Sequence, residues 1–405
     1  GRFKRTFVRT SEVIKKKIIS TISLIVLSFG CATIDESSFI KPGETPKLET
    51  SEGGLWMQME KFEEKTKTSG LLVKDKKLNS YIQKLVCNLA NDYCPDIRVY
   101  IQNVPQFNAS MAPNGMMSVW TGLLLRAQNE SQLVSVLGHE IGHYIKKHSI
   151  KRHVDLQNKA NFFALFTAAL AGTGVYYRID TRGLHDSVLL AVQGSVAAYS
   201  RDHEREADIY GLDLLLKEGY SPEGAPEIWE NLIKENEAGE SGSTSIFLAT
   251  HPAPEERIEN LRKKARESNL TGTPRIGEKD FLENTLPHRA EWFLQELEAK
   301  KFAEMQIVLK NLAFSPLHQG ELHFLQGELI RKERGKDYSP KAIAQYQKAI
   351  DLDSLDPRPR KAIGLLLLKT DQKKRALENL KKYLELKPEA EDRSMITSYL
   401  ESHSK

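Results

Sequence analysis

The chain has 405 residues, too many for one ordinary hydrophobic core, so two or three domains are expected. Hydrophobic residues make up 40% and charged residues 28%, which suits soluble globular domains. The formal net charge is +4, but the first seventeen residues hold seven Lys/Arg and one Glu, which leaves the remainder slightly negative. This distribution excludes a pervasive basic surface, so nucleic acid is not expected as a partner.

The N-terminus is typical of an export signal, predicted over residues 1–30. Basic residues precede an apolar run at 18–29 that is too short to span a bilayer comfortably, as in a secretory signal peptide. The run ends in LSFG followed by Cys31, which resembles the lipobox of bacterial lipoproteins, whose Cys is acylated. We therefore expect a lipid anchor at Cys31 that contacts the membrane. A cleaved soluble export signal and an uncleaved anchor are the alternatives.

Residues 31–54 are polar and interrupted by proline and glycine, the composition of a flexible tether. Beyond it, Cys87 and Cys94 are the two cysteines that remain after Cys31. In an oxidising periplasm this pair can close a small disulfide loop, and two free thiols are equally compatible with the sequence. Two cysteines are too few for a cysteine-based zinc site, which excludes that class of metal centre.

The first folded domain is predicted over residues 55–270. Hydrophobic periodicity, β-branched content and turn residues indicate its elements along the chain. In order, they are two helices within 55–89, a strand at 97–101, a turn region at 108–115, a strand at 116–120 and a helix at about 130–147.

A further apolar stretch, residues 160–177, is nearly long enough for a membrane helix. It is shorter than a clean span and contains Gly172 and Gly174, so a buried or membrane-facing hairpin helix is favoured over a transmembrane one. Another helix is predicted from Ser187 to about Lys217.

Residues 284–402 resemble tetratricopeptide repeats. Small residues such as Gly364 and Ala376 stand at the offsets of the repeat consensus, and Gly327 and Ala342 repeat the pattern one unit earlier. A weaker copy precedes them. The spacing predicts an α-helical repeat array, and a helical bundle with coincidental small residues is the alternative.

The motif HEIGH, His139 to His143, lies in the helix predicted at 130–147. Histidines four residues apart project from one helix face, so both imidazoles can bind one tetrahedral cation. Glu140 is turned by about a third of a turn, where its carboxylate can approach the attacking water without becoming a ligand. The alternative is a pair of histidines on a solvated helix face.

The sequence SRDHEREAD, residues 200–208, offers carboxylates for the third ligand that a catalytic zinc requires. Glu204 and Asp208 are four residues apart and share a helix face, whereas Glu206 points roughly opposite. We therefore predict Glu204 as the third ligand and Asp208 as the acceptor for the second ring nitrogen of a ligating histidine. Glu206 is expected to meet solvent or Arg205.

Together, HEIGH, SRDHEREAD and a later Thr-His-Pro with Arg257 resemble the family of the CAAX prenyl endopeptidase and the membrane heat-shock protease HtpX. The export signal and the repeats are most similar to those of the periplasmic β-barrel assembly-enhancing proteases. The resemblance implies an α+β, mainly α fold: a zincin-type metalloprotease domain with a small sheet and the HExxH helix, followed by the repeat array. The site it implies is one zinc ion (Zn²⁺) per chain, held by His139, His143 and Glu204, with Glu140 as the general base.

The resemblance also points to a role for His251. In the repeat-bearing branch, a histidine of the later His-Pro motif can occupy the open metal position in a resting state; a histidine that caps a turn is the alternative. For the developing oxyanion, Arg257 and His203 are candidate donors. Residues 116–120 are a candidate edge strand onto which an extended substrate adds by backbone pairing.

These observations predict a zinc-dependent endopeptidase of the bacterial cell envelope that hydrolyses misfolded or stalled outer-membrane proteins in the periplasm. Its partners would be protein and peptide substrates and, through the repeats, the outer-membrane assembly machinery. The alternative is a chaperone-like assembly adaptor that acts mainly through its repeats and holds a structural metal. An integral-membrane prenyl-protein protease would need several membrane spans, which the sequence lacks.

Overall fold

A computed structural model describes residues 39–158, 199–239, 245–252, 254–268, 272–334, 339–368, 370 and 372–402. The predicted signal peptide, Cys31 and the apolar segment 160–177 lie outside these residues, as does the first part of the helix predicted from Ser187. None of the described helices is long and apolar enough to cross a membrane.

The described residues are mainly helical and contain one small sheet, which confirms that part of the predicted fold class. The described helices up to residue 267 are α1 (Ser51–Thr68), α2 (Lys76–Ala90), α3 (Thr121–Arg126), α4 (Glu130–Ile145), α5 (His148–Asn158), α6 (Arg201–Lys217), α7 (Gly224–Ala238), α8 (Ile246–Thr250) and α9 (Pro254–Glu267).

The sheet has three strands, β1 (Arg98–Gln102), β2 (Ala109–Met111) and β3 (Met116–Trp120), in the order β1-β3-β2. The central strand β3 pairs in parallel with β1 and antiparallel with β2. The prediction that residues 116–120 form an edge strand was therefore wrong, and β2 was missed within the turn region predicted at 108–115. Strand periodicity marks a pleated segment but does not say which neighbour it pairs with.

The segment before α1 is not a free tether in its described part. The helix α1 begins at Ser51, inside the predicted tether, and Ile40 is buried. The backbone N–H of Ile40 donates to the carbonyl of Ile145 at 3.0 Å, and the hydroxyl of Tyr93 donates to the carbonyl of Ile40 at 2.8 Å. These contacts, together with the hydrogen bond from the N–H of Gly43 to Asp96 at 2.7 Å, hold the segment against the end of α4 and the start of β1.

Two local features fix the start of β1. A disulfide joins Cys87 of α2 to Cys94, with the two Cα atoms 4.6 Å apart. Next to it, Glu63 of α1 is buried and accepts hydrogen bonds from Arg98 at 2.6 Å and from the hydroxyl of Tyr100 at 2.7 Å. These contacts tie α1 and α2 to the first strand.

The helix α4 is buried along its whole length and packs closely against α6. The helices meet at glycines: a methyl group added to Gly211 of α6 would lie 2.7 Å from the backbone nitrogen of His139, and one added to Gly142 would lie 3.1 Å from Cα of Ala207. Only small residues at this crossing allow such an approach. The close crossing brings the side chain of Glu204 to the histidines of α4.

The C-terminal part of the described chain is a succession of helices that pack in consecutive pairs, α12 (Gln319–Arg334) with α13 (Ser339–Leu352) and α14 (Pro357–Leu367) with α15 (Lys373–Leu386). Small residues lie at the contacts, as Gly327 does against Tyr346 and Gly364 against Leu380. The assignment of these pairs as tetratricopeptide repeats stays a prediction. The other described helices of this part are α10 (Glu278–Leu297), α11 (Phe302–Leu312) and α16 (Arg393–Ser402).

A buried ionic cluster joins this part to the preceding helices. Arg126 at the end of α3 lies 2.6 Å from Glu235 of α7 and 2.6 Å from Glu296 of α10. All three side chains are almost fully shielded from solvent. Since a buried charge without a partner is costly, the cluster constrains how α10 sits on α3 and α7.

Candidate metal centre and active site

Four side chains converge at the α4–α6 crossing. Nε2 of His139 and Nε2 of His143 lie 3.0 Å apart, and the carboxylate of Glu204 lies 3.5 Å from the first and 3.4 Å from the second. His251, directly after α8, brings its Nδ1 to 3.0 Å from Glu204 and 3.3 Å from Nε2 of His139. One possible ligand atom from each of the four lies within 4.8 Å of the others.

This donor set fits a metal ion. Imidazoles with one carboxylate are the ligand chemistry of catalytic zinc, and all four residues are buried. Burial lowers the pKa of His143 well below its usual range and that of His251 to about 4, which leaves neutral rings with lone pairs to offer. Oε2 of Glu204 has no hydrogen bond, although Nη1 of Arg257 lies 2.7 Å away as an ion pair without hydrogen-bond geometry. A cation between the donors would satisfy that oxygen.

Glu140 lies beside the cluster without belonging to it. Its Oε1 is buried, makes no hydrogen bond and lies 3.6 Å from Nε2 of His251. Burial and the nearby carboxylate of Glu204 raise the pKa of Glu140 well above its ordinary value, while Arg257 and the backbone N–H of Met111 act against them. A carboxyl group with a raised pKa can both take up and release a proton near neutral pH.

Asp208 stands one turn after Glu204 and contacts the other nitrogen of His139, Nδ1, at 2.9 Å. Nε and Nη2 of Arg257 contact the two oxygens of Asp208 at 2.8 and 2.7 Å. The guanidinium of Arg257, which also faces the ring of Trp229, is thus occupied by two carboxylates. Arg257 thus holds Glu204 and Asp208, and its role as a donor to the oxyanion stays a prediction.

His203 is not among the four converging residues; its ring stacks on that of His148 with centroids 4.4 Å apart. Glu206 does not contact Arg205, which pairs with Glu256 and Asp202. It lies partly exposed, 2.8 Å from Lys146 and 3.0 Å from Nε2 of His148. Partial burial would raise the pKa of Glu206, but hydrogen bonds from these two partners lower it to about 2.

Sequence reasoning missed His148. It lies five residues after His143, a spacing at which an unbroken helix would not bring the two rings together. The helix is broken at Lys147, whose φ is 54°, and α5 begins at His148. Nδ1 of His148 then lies 2.9 Å from Nδ1 of His143.

Similarity to known proteins agrees with this geometry. The family profile described as Peptidase family M48 matches residues 73–265, which contain all four converging side chains. The metalloprotease YcaL of Escherichia coli is 31% identical over 183 residues, which are 45% of this chain and 67% of that protein. The chain belongs to peptidase family M48. The predicted family and the class of metalloendopeptidase are thereby confirmed.

Other members of the family are longer than the region of similarity. The β-barrel assembly-enhancing protease of Escherichia coli is 26% identical over 266 residues, which are 63% of this chain and 53% of that protein. The mitochondrial metalloendopeptidase OMA1 of Schizosaccharomyces pombe is 29% identical over 166 residues, 41% of this chain and 46% of that protein. The chain thus spans about half the length of these two curated relatives.

Proposed function

We propose that this M48 member is a zinc-dependent endopeptidase of the bacterial cell envelope that hydrolyses misfolded or stalled envelope and outer-membrane proteins. The observation that carries the proposal is the convergence of His139, His143 and Glu204 in one buried cluster, with Glu140 beside it. The envelope setting is supported by the predicted export signal and by the name of the β-barrel assembly-enhancing protease among the relatives. The C-terminal helices would recruit clients or the outer-membrane assembly machinery.

A bound zinc ion supplies a Lewis acid for the scissile carbonyl and lowers the pKa of water to about 7. The carboxylate of Glu140 accepts the proton of the attacking water and delivers it to the leaving amine. Asp208 holds His139 through Nδ1, which leaves Nε2 directed at the metal position. Arg257 keeps both Glu204 and Asp208 ionised and in place.

The strand β2 offers an extended substrate a backbone edge. Asn108 and Ala112 pair with β3 on one side, so by the alternation of an antiparallel ladder the backbone groups of Ala109 and Met111 point away from it. The backbone N–H of Met111 interacts with Glu140, so this edge, which is unpaired within the described residues, lies next to the proposed base. A peptide that added to β2, in place of the predicted β3, would lie along the catalytic centre with little side-chain selectivity.

His251 would close the site in the resting enzyme. Its Nδ1 occupies the fourth position of the donor cluster, and its ring is stacked on Phe247 with centroids 4.1 Å apart. A catalytic zinc needs one open position, so a histidine in that position makes the enzyme latent. We expect His251→Ala to raise peptidase activity on casein; unchanged or lower activity would refute this gate.

The decisive experiment compares Glu140→Gln with wild type on casein and on an unfolded outer-membrane barrel. We expect at least about 100-fold slower cleavage, since the variant keeps the metal ligands and loses the base. Glu237→Gln, an exposed carboxylate on α7, is the control and should cleave as wild type does. Equal residual activity in wild type and Glu140→Gln would overturn the proposal in favour of the assembly adaptor.

A further inference from the structure

The ring of His143 has a partner on each nitrogen. Its Nε2 lies 3.0 Å from Nε2 of His139 and 3.4 Å from Glu204, on the side where the candidate metal donors converge. Its Nδ1 lies 2.9 Å from Nδ1 of His148. A ring nitrogen that binds a metal carries no proton, so the single proton of neutral His143 sits on Nδ1 and is donated to His148.

That donation fixes the proton of His148 as well. With Nδ1 accepting, the proton of neutral His148 sits on Nε2, which lies 3.0 Å from Oε2 of Glu206. The other oxygen of Glu206 lies 2.8 Å from Nζ of Lys146. In this series of hydrogen bonds, from His143 through His148 to Glu206, every shared proton has one donor and one acceptor. Nε2 of His143 keeps its lone pair for the metal.

We propose that His148 and Glu206 are positioning residues that set the tautomer and ring orientation of the metal ligand His143. The inference rests on the metal site of the proposed function. The two histidine ligands would then be held differently: His139 directly by the carboxylate of Asp208, and His143 through an intervening imidazole. Partners of this kind raise the basicity of a ligand and fix its ring, typically worth about 10- to 100-fold in metal affinity.

Neighbouring residues hold His143 and His148 in this hydrogen-bonded arrangement. His143 and His148 are both fully buried, so water does not compete for their hydrogen bonds. Tyr199 stacks on the ring of His143 with centroids 3.8 Å apart and planes at 18°, and His203 stacks on His148 at 4.4 Å. The left-handed backbone of Lys147 turns the chain so that His148 faces back toward His143. Two stacked rings and one sharp turn thus support the arrangement in which the Nδ1 atoms of the two imidazoles face each other.

The test is the affinity of the full chain for Zn²⁺, measured by competition with a chromophoric chelator. His148→Leu keeps the volume and removes the acceptor, so we expect affinity to fall about 10- to 100-fold. His148→Asn, whose side-chain oxygen can take the place of Nδ1, should restore it to within a few-fold of wild type. Glu206→Ala, at a partly exposed position that tolerates truncation, should weaken affinity less than His148→Leu does, because water can replace the carboxylate.

The matched control is His288→Leu, a histidine that is paired with Asp75 at 3.3 Å and does not belong to the cluster, which should bind zinc as wild type does. The proposal fails if His148→Leu binds zinc like wild type, or if His148→Asn loses as much affinity as His148→Leu. If His148→Leu does not fold, the other two variants decide. The proposal is overturned if Glu206→Ala binds zinc like wild type and His148→Asn binds zinc much more weakly than wild type. A wild-type protein that binds no zinc would instead refute the proposed function.

Discussion

Replacing Gly211 with alanine tests whether the close crossing of α4 and α6 builds the active site. The added methyl group would lie 2.7 Å from the backbone nitrogen of His139 and 2.9 Å from the carbonyl carbon of Gly138. These neighbours are backbone atoms of a buried helix and cannot rotate aside as a flexible side chain would. Ordinary contact begins at about 3.4 Å, so the helices must separate by about 0.7 Å at this point.

The separation affects catalysis more than stability. Alanine is favoured over glycine within a helix by about 1 kcal/mol, while overpacking a core costs about 1–3 kcal/mol, so the net loss of unfolding free energy is about 0–2 kcal/mol. Glu204 lies two turns from Gly211 on the same helix and moves away from the histidines of α4. A misplacement of about 1 Å can cost about 100-fold in rate, so we expect kcat/KM to fall about 10- to 100-fold.

The assay measures cleavage of a quenched fluorescent peptide, zinc affinity and unfolding in urea for the same preparations. Gly54→Ala is the matched control, because that glycine also lies within a helix and its added methyl group would meet nothing within 4 Å. The control should gain up to about 1 kcal/mol and keep its activity. If Gly211→Ala cleaves within twofold of the control, the crossing does not set the position of Glu204 and the reasoning is refuted.

Three further perturbations follow from the contacts. Arg126→Met leaves two buried carboxylates facing each other and should lower the unfolding free energy by about 3–5 kcal/mol. The control Arg262→Met removes a surface ion pair and should lower it by at most about 1 kcal/mol. Equal losses of the two variants in urea unfolding would contradict the stabilising role of the buried cluster. Burial would raise the pKa of Glu63, but hydrogen bonds from Arg98 and Tyr100 lower it below its ordinary 4.5. The ionised side chain of Glu63 therefore stabilises the fold above pH 4.5, and this stabilisation is lost as the pH falls through the pKa of Glu63 in the folded protein. Glu63→Gln should therefore lose less stability than wild type between pH 5 and pH 3, and an unchanged slope would count against this assignment. Removing the metal with a chelator should abolish cleavage and lower the Tm, and added Zn²⁺ should restore both; full activity in the chelated protein would exclude metal catalysis.

Much of the fold could be predicted from local patterns. The strand at 116–120 has the predicted bounds, and the helix predicted at 130–147 occurs as α4, two residues shorter. Both depend on side-chain periodicity, which the backbone geometry of a single helix or strand imposes. The pairing order of the sheet was not predictable in this way, because β2 is three residues long and becomes a strand only through its contact with β3.

For the candidate ligands, too, the sequence predicted what depends on a single helix. Helical phase predicted His139, His143 and Glu204. Residues four apart on one helix share a face, as His139 and His143 do and as Glu204 and Asp208 do, whereas Glu206 lies on another face. Asp208 also lies where its phase predicts, against His139. The sequence by itself therefore determined which side chains of each helix could face a metal.

Only the tertiary structure decided which of these faces meet and what supports them. The two carboxylates that pair with Arg257 come from α6, and the approach of His251 depends on how α8 packs against α4. His148 faces His143 because one left-handed residue, Lys147, redirects the chain, a change that no helical periodicity encodes. The physical reason is that periodicity is a property of one element, whereas burial, ion pairing and the contact of glycines at a crossing are properties of two elements in contact.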